Sequence, residues 1–79
     1  MAVNVVLHDV AAGNEVKMLL KATDTVEDII ENAAAYWHKP SGAYILKLSS
    51  DILNGRATVK EAGIKSNDIL EFMLDPQGG

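Results

Sequence analysis

The segment from Thr23 to Trp37 constrains this chain more than any other, because it is the clearest stretch with helical period. Val26, Ile29, Ile30 and Ala33 share one stripe, and Trp37 lies one turn beyond Ala33. Thr25 is placed to cap a helix through its hydroxyl, with Asp28 at the reciprocal capping-box position. Asp is shorter than the usual Glu, so the box is expected to be approximate. Glu27 and Asp28 also suit the positive end of the helix dipole. The helix is expected to run to about Trp37. Lys39-Pro40-Ser41-Gly42 ends it, since proline disfavours helical geometry in the residue before it. A single amphipathic helix among strands points to an α+β plan, with the helix packed across a sheet.

The flanking sequence supplies that sheet. Val3 to Leu7 is rich in β-branched residues and is bounded by His8-Asp9. The segment Asp9 to Asn14 carries Gly13 and Asn14, which tolerate a turn. In Glu15 to Lys21, Val16, Met18 and Leu20 alternate with polar neighbours, giving the second arm of a hairpin. Tyr44, Leu46 and Leu48 alternate as a third strand, and Asn54-Gly55 marks a turn with short strand-like flanks. Thr58 and Glu61 have capping-box spacing for one helical turn, with Gly63 at its exit. Leu70, Phe72 and Leu74 alternate as the last strand, which is expected to stop pairing before Pro76. Residues 1–74 therefore read as one domain and residues 75–79 as a flexible tail.

Composition removes several function classes. The chain has no cysteine, which excludes disulfides, thiolate metal sites and a Cys nucleophile. Net charge is −4, with one arginine, Arg56, and scattered lysines; nucleic-acid binding is not expected. The longest apolar runs, Val5-Val6-Leu7 and Met18-Leu19-Leu20, are too short to span a bilayer. Met1 to Asn4 lacks the pattern of a signal peptide. The expectation is a soluble, cytoplasmic monomer without a membrane partner. His8 and His38 lack the partners a zinc site needs. The helix carboxylates, Asp24, Glu27, Asp28 and Glu31, read as dipole partners and solvated face. Trp37 and Tyr36 are expected to pack on the core, with a partner-binding spot as the alternative.

The element order, with particular residues, resembles the β-grasp fold of the ubiquitin-like modifiers. Asp24-Thr25-Val26 resembles the Asp-Thr-Ile that opens ubiquitin's helix. Gly55-Arg56 with Thr58-Val59 is similar to that family's Gly-Arg-Thr-Leu, with Ala57 inserted. Ala62-Gly63-Ile64 and Asp68-Ile69-Leu70 resemble its step into the last strand. The chain then reads Leu74-Asp75-Pro76-Gln77-Gly78-Gly79 at the register of ubiquitin's Leu-Arg-Leu-Arg-Gly-Gly. The resemblance implies a mixed four- to five-stranded sheet with one main helix packed across it. Asp75 and Gln77 stand where ubiquitin has arginines, and Pro76 where it has leucine, which implies dedicated partners and a divergent, prokaryotic-type member. Ubiquitin's surface patch falls near Lys47, Glu71 and Met73; a one-residue register shift puts Leu46 there instead.

What the resemblance implies chemically rests on Gly78 and Gly79. Glycine has no Cβ, so a narrow channel can close around the tail. A terminal carboxylate is a poor electrophile until an activating enzyme converts it to an acyl-adenylate with ATP. A thiol of that enzyme, then of a conjugating enzyme, carries it as a thioester, and a target lysine takes it as an isopeptide. A deconjugating protease is a further expected partner, with Asp75, Pro76 and Gln77 as tail-recognition residues. No catalytic set, metal motif or cofactor of its own is expected. Two alternatives stand. Sulfur carriers of similar fold also end in Gly-Gly and accept sulfur as a thiocarboxylate, but usually lack the elements expected between Ser49 and Gly63. A non-covalent adaptor would not need Gly79.

Overall fold

The structure, a computed structural model, describes residues 2–77. Strands β1 (Ala2–Asp9) and β2 (Asn14–Lys21) form an antiparallel hairpin, with Ala2 opposite Lys21 and Asp9 opposite Asn14. Gly13 closes the turn at φ 77°, a left-handed geometry natural to glycine, and its N–H donates to the Asp9 carbonyl at 2.8 Å. Helix α1 (Val26–Tyr36) follows, with Trp37 as its C-cap. A short 3₁₀ turn (Ser41–Ala43) leads into β3 (Tyr44–Leu48) and the two-residue β4 (Asp51–Ile52). One helical turn, α2 (Val59–Ala62), exits through Gly63 at φ 73°, and β5 (Ile69–Leu74) comes last. The sheet order is β2-β1-β5-β3-β4. β5 runs parallel to β1 and antiparallel to β3, so the last strand sits in the middle. This is the expected α+β β-grasp arrangement.

One face of the sheet packs on α1. Val5, Leu7, Leu46, Leu70 and Phe72 meet Val26, Ile29 and Ala33, all essentially without solvent contact. The stripe read from sequence is the stripe that is buried, with Ala34 added to it. Trp37 and Tyr36 part company: Trp37 packs against Phe72 with ring centroids 5.3 Å apart, whereas Tyr36 is 61% exposed. One alternative is excluded, and one position departs from expectation. Leu46 is 0% exposed beneath the helix, because the register pairs Lys47 with Glu71, so Leu46 drops out of the candidate surface. Leu74 is 59% exposed despite its parity with Leu70 and Phe72. Tyr44 lies opposite Leu74 and stacks on Phe72 at 4.4 Å, closing the core one step before the strand ends.

The starts of the two helices satisfy each other. Thr25 Oγ1 accepts the Asp28 N–H at 3.1 Å, and Asp28 Oδ2 accepts the Thr25 N–H at 3.0 Å. The box is complete, so the shorter Asp side chain suffices. Thr58 and Glu61 repeat it at 3.1 and 2.9 Å. The first N–H groups of a helix have no partner within it. Here Val26 and Glu27 donate to the carbonyls of Ala57 and Gly55, each at 2.9 Å. In return, Val59 and Lys60 donate to the carbonyls of Asp24 and Ala22 at 2.8 and 3.2 Å. Thr25 and Thr58 bridge directly between these segments.

This reciprocity makes the two caps one unit. Thr25→Ala and Thr58→Ala are each expected to cost about 1 kcal/mol in urea unfolding. The double variant is expected to depart from additivity by at least about 0.5 kcal/mol. Strict additivity would show that the two helix starts are independent.

Candidate functional site

The end of β5 fixes where the chain leaves the domain. The Val10 N–H donates to the Phe72 carbonyl at 3.2 Å on one side of the strand, and the Asp75 N–H donates to the Ala43 carbonyl at 2.9 Å on the other. Asp75 thus adds one bond to the sheet after β5 formally ends. Its side chain then accepts the Gln77 N–H at 2.9 Å across Pro76, which turns the chain. Asp75, Pro76 and Gln77 are therefore adjacent at the rim beside Ala43. Gly78 and Gly79, the residues expected to be activated, lie outside the described residues.

Beneath this exit is a feature that the sequence reading missed. Asp9 ends β1 with its side chain only 2% exposed. Its Oδ2 accepts from Lys39 Nζ at 2.6 Å, and its Oδ1 from the Ala12 N–H at 3.3 Å. Lys39, just past α1, is itself 5.7 Å from the Tyr44 ring centroid. One ion pair therefore joins the β1–β2 turn, the exit of α1 and the start of β3. A signal for it exists: Val3, Val5, Leu7 and Asp9 share strand parity, so Asp9 falls on the buried face and needs a partner. Around the pair, Val10, Ala11, Tyr44, Met73 and Leu74 enclose a largely apolar hollow of about 240 Å³.

The other candidate surface is the sheet face away from α1. Lys47 and Glu71 sit directly opposite each other on β3 and β5, and Met73 faces Ile45 one pair further on. Lys47, Glu71 and Met73 are all half-buried. β1 extends this face: His8 adjoins Glu71 and Val6 adjoins Ile69, which is 56% exposed. The structure thus brings Lys47, Glu71 and Met73 together on one side of the sheet, with the 75–77 segment at its end. No group of three His, Cys, Asp or Glu side chains arranged to hold a metal occurs among the described residues. Among them, no helix is long and apolar enough to cross a membrane.

The hydrogen bond from Lys39 holds the Asp9 carboxyl below its ordinary pKa, against the opposing effect of burial. The same bond holds the Lys39 ammonium above its ordinary value. A carboxylate with a lowered folded-state pKa stabilises the protein above its unfolded pKa, and that contribution is lost as pH falls through the lowered value. The lysine contribution is present at neutral pH and is lost only as pH rises through its raised value. In Lys39→Met, burial acts on Asp9 unopposed by the ammonium. Its titration, followed by carboxyl-carbon NMR, should move up, and the acid-unfolding midpoint should move to higher pH. Unchanged curves would show that the pair does not contribute.

No protein-family model matches this chain, and no curated protein sequence matches it. Solved structures do. The ubiquitin of Caldiarchaeum subterraneum is similar over 100% of both chains, with a TM-score of 0.86 and 16% sequence identity. The likeness therefore lies in the fold, which is that of ubiquitin.

Proposed function

We propose that this chain is a ubiquitin-like protein modifier that acts through the carboxylate of Gly79, whether that terminus is encoded or exposed by cleavage. The observation that carries this reading is the exit from β5. The last strand is held on both sides, Leu74 is exposed at its end, and five residues follow. With Asp75 held to Ala43, the four residues beyond it reach roughly 13–14 Å when fully extended, enough to thread a terminal carboxylate into a partner's active site. The carboxylate attacks the α-phosphorus of ATP, pyrophosphate leaves, and an acyl-adenylate forms. A thiolate of the activating enzyme displaces AMP to give a thioester, which passes to a conjugating enzyme. The amine of a target lysine then displaces the thiol and forms the isopeptide. The chain supplies the acyl group, and its partners supply ATP chemistry and thiols in the cytoplasm.

Asp75, Pro76 and Gln77 would set which enzymes accept the tail. An acidic residue and a neutral one, where ubiquitin has two arginines, oppose any site built for basic side chains. Lys47, Glu71 and Met73 form the complementary face for dedicated partners. A sulfur carrier is the second reading, and Pro76 near the tail is the feature in its favour. The presence of β4 and α2 weighs towards the modifier, because carriers of this fold usually lack them.

Incubation with ATP and the cognate activating enzyme is expected to give a thiol-sensitive adduct on a non-reducing gel. Deletion of Gly78 and Gly79 should abolish it. An intact mass showing one sulfur in place of oxygen would instead identify the carrier. Partner binding with no adduct, unchanged by the deletion, would identify an adaptor and overturn both covalent readings.

A further inference from the structure

The tail begins with three successive positions that offer a partner no main-chain donor. The Asp75 N–H is spent on the Ala43 carbonyl at 2.9 Å, Pro76 has no N–H, and the Gln77 N–H is spent on Asp75 Oδ1 at 2.9 Å. In an added strand, alternate residues turn their main chain to opposite sides. On one side of the tail, residues 75 and 77 have used their donors; on the other, residue 76 has none. A partner that took this stretch as a strand would find no N–H before Gly78.

The same residues carry a bend with a local cause. Proline holds the residue before it in extended backbone, so Asp75 continues the line of β5 far enough to reach Ala43. Pro76 and Gln77 then form a turn. The pyrrolidine ring presets the proline φ that a turn needs, and aspartate is one of the few residues whose side chain bonds the main chain two positions on. Asp75-Pro76-Gln77-Gly78 places Asp first, Pro second and Gly fourth, the residues that a type I turn favours at those positions.

We infer that Asp75 is a positioning residue: through its bond to the Gln77 N–H it presents Gly78 and Gly79 on a bent tail, and the activating enzyme takes the tail in that bend. The inference rests on the modifier reading above. Opening the bend frees one donor, at Gln77, beside a proline that has none, so an enzyme gains little by straightening the chain. Keeping the bend spares it the cost of ordering those residues. Only two residues then extend past the turn, a reach of roughly 7 Å. The nucleotide site of the enzyme must therefore come close to the domain instead of lying at the end of a long channel. The bond is exposed to solvent and biases the tail without locking it. The fraction of molecules already bent sets the apparent affinity, and the chemical step is untouched. Asp75 acts here as a hydrogen-bond acceptor, a role separable from its charge. Asn keeps an acceptor oxygen at the same place without the charge; Glu keeps the charge but sets its carboxylate one methylene farther from the main chain.

Two measurements on the full chain test this. The first is solvent exchange of the Gln77 amide by NMR. Exchange is expected to be at least about threefold slower in the unaltered chain and in Asp75→Asn than in Asp75→Ala and Asp75→Glu. Unchanged Leu70 and Phe72 amide signals would show that each variant keeps the fold. Equal Gln77 exchange in the unaltered chain and Asp75→Ala would overturn the inference. The second is exchange of labelled pyrophosphate into ATP, catalysed by the cognate activating enzyme with the chain as substrate. Asp75→Ala and Asp75→Glu should raise KM by about threefold or more with kcat unchanged, and Asp75→Asn should recover most of that loss. A KM raised equally by Asn and Ala would show that the enzyme reads the charge, and a lowered kcat at constant KM would place Asp75 in the chemical step; either would overturn the inference. Pyrophosphate exchange that is present but indifferent to residue 75 would overturn this inference alone. No exchange with the unaltered chain would overturn the modifier reading and this inference together.

Discussion

The rest of the structure depends on one constraint: the last strand must enter between two strands made earlier. β5 separates β1 from β3, so the N-terminal hairpin and the β3–β4 pair have no ladder in common until β5 arrives. Its pairing of Val6 with Ile69 closes a loop that spans most of the chain. Leu70 and Phe72 then complete the core beneath α1. A sheet closed in this way is cooperative, because removing the central strand separates both halves. It also fixes the exit: the chain leaves at Leu74 in a direction set by bonds on both sides.

Two further devices hold the parts that β5 does not. The paired helix starts join the loop before α1 to the loop before α2 through their own N–H and C=O groups. The physical role of Gly55 and Ala57 lies in that contact, where their carbonyls accept the first N–H groups of α1. The residue inserted relative to the Gly-Arg-Thr-Leu pattern is thus accommodated as an acceptor. At the opposite end of α1, the Asp9–Lys39 pair joins the helix exit to the hairpin turn. Removing one member of the pair leaves the other charge uncompensated, so the contact fixes where the helix exit sits against the hairpin turn.

Much of this was legible in the sequence because it is local. The period of Val26, Ile29, Ile30 and Ala33, both capping boxes, and the parity of Leu70 and Phe72 depend on near neighbours. What was not legible depends on partners distant in sequence. The register that buries Leu46 and places Lys47 opposite Glu71 is decided by how β3 meets β5. The exposure of Leu74 is decided by Tyr44 stacking on Phe72. Lys39, which reads as part of a helix stop, is recruited by Asp9 thirty residues earlier. Of the candidate site, the place of Asp75, Pro76 and Gln77 just past the last strand was legible, because Pro76 cannot donate to a ladder. The bond from Asp75 to Ala43 was not.

The central claim is that Gly79 ends up on the side chains of other proteins. Lys65 is the last trypsin site in the chain, so digestion of a conjugate leaves Ser66–Gly79 attached to a target lysine. The most direct measurement is mass spectrometry of tryptic peptides from cells that express the chain. The account predicts branched peptides that carry Ser66–Gly79 on a lysine ε-amine and disappear when Gly79 is deleted. Finding only the unbranched Ser66–Gly79 peptide, in cells whose activating enzyme is functional, would contradict it.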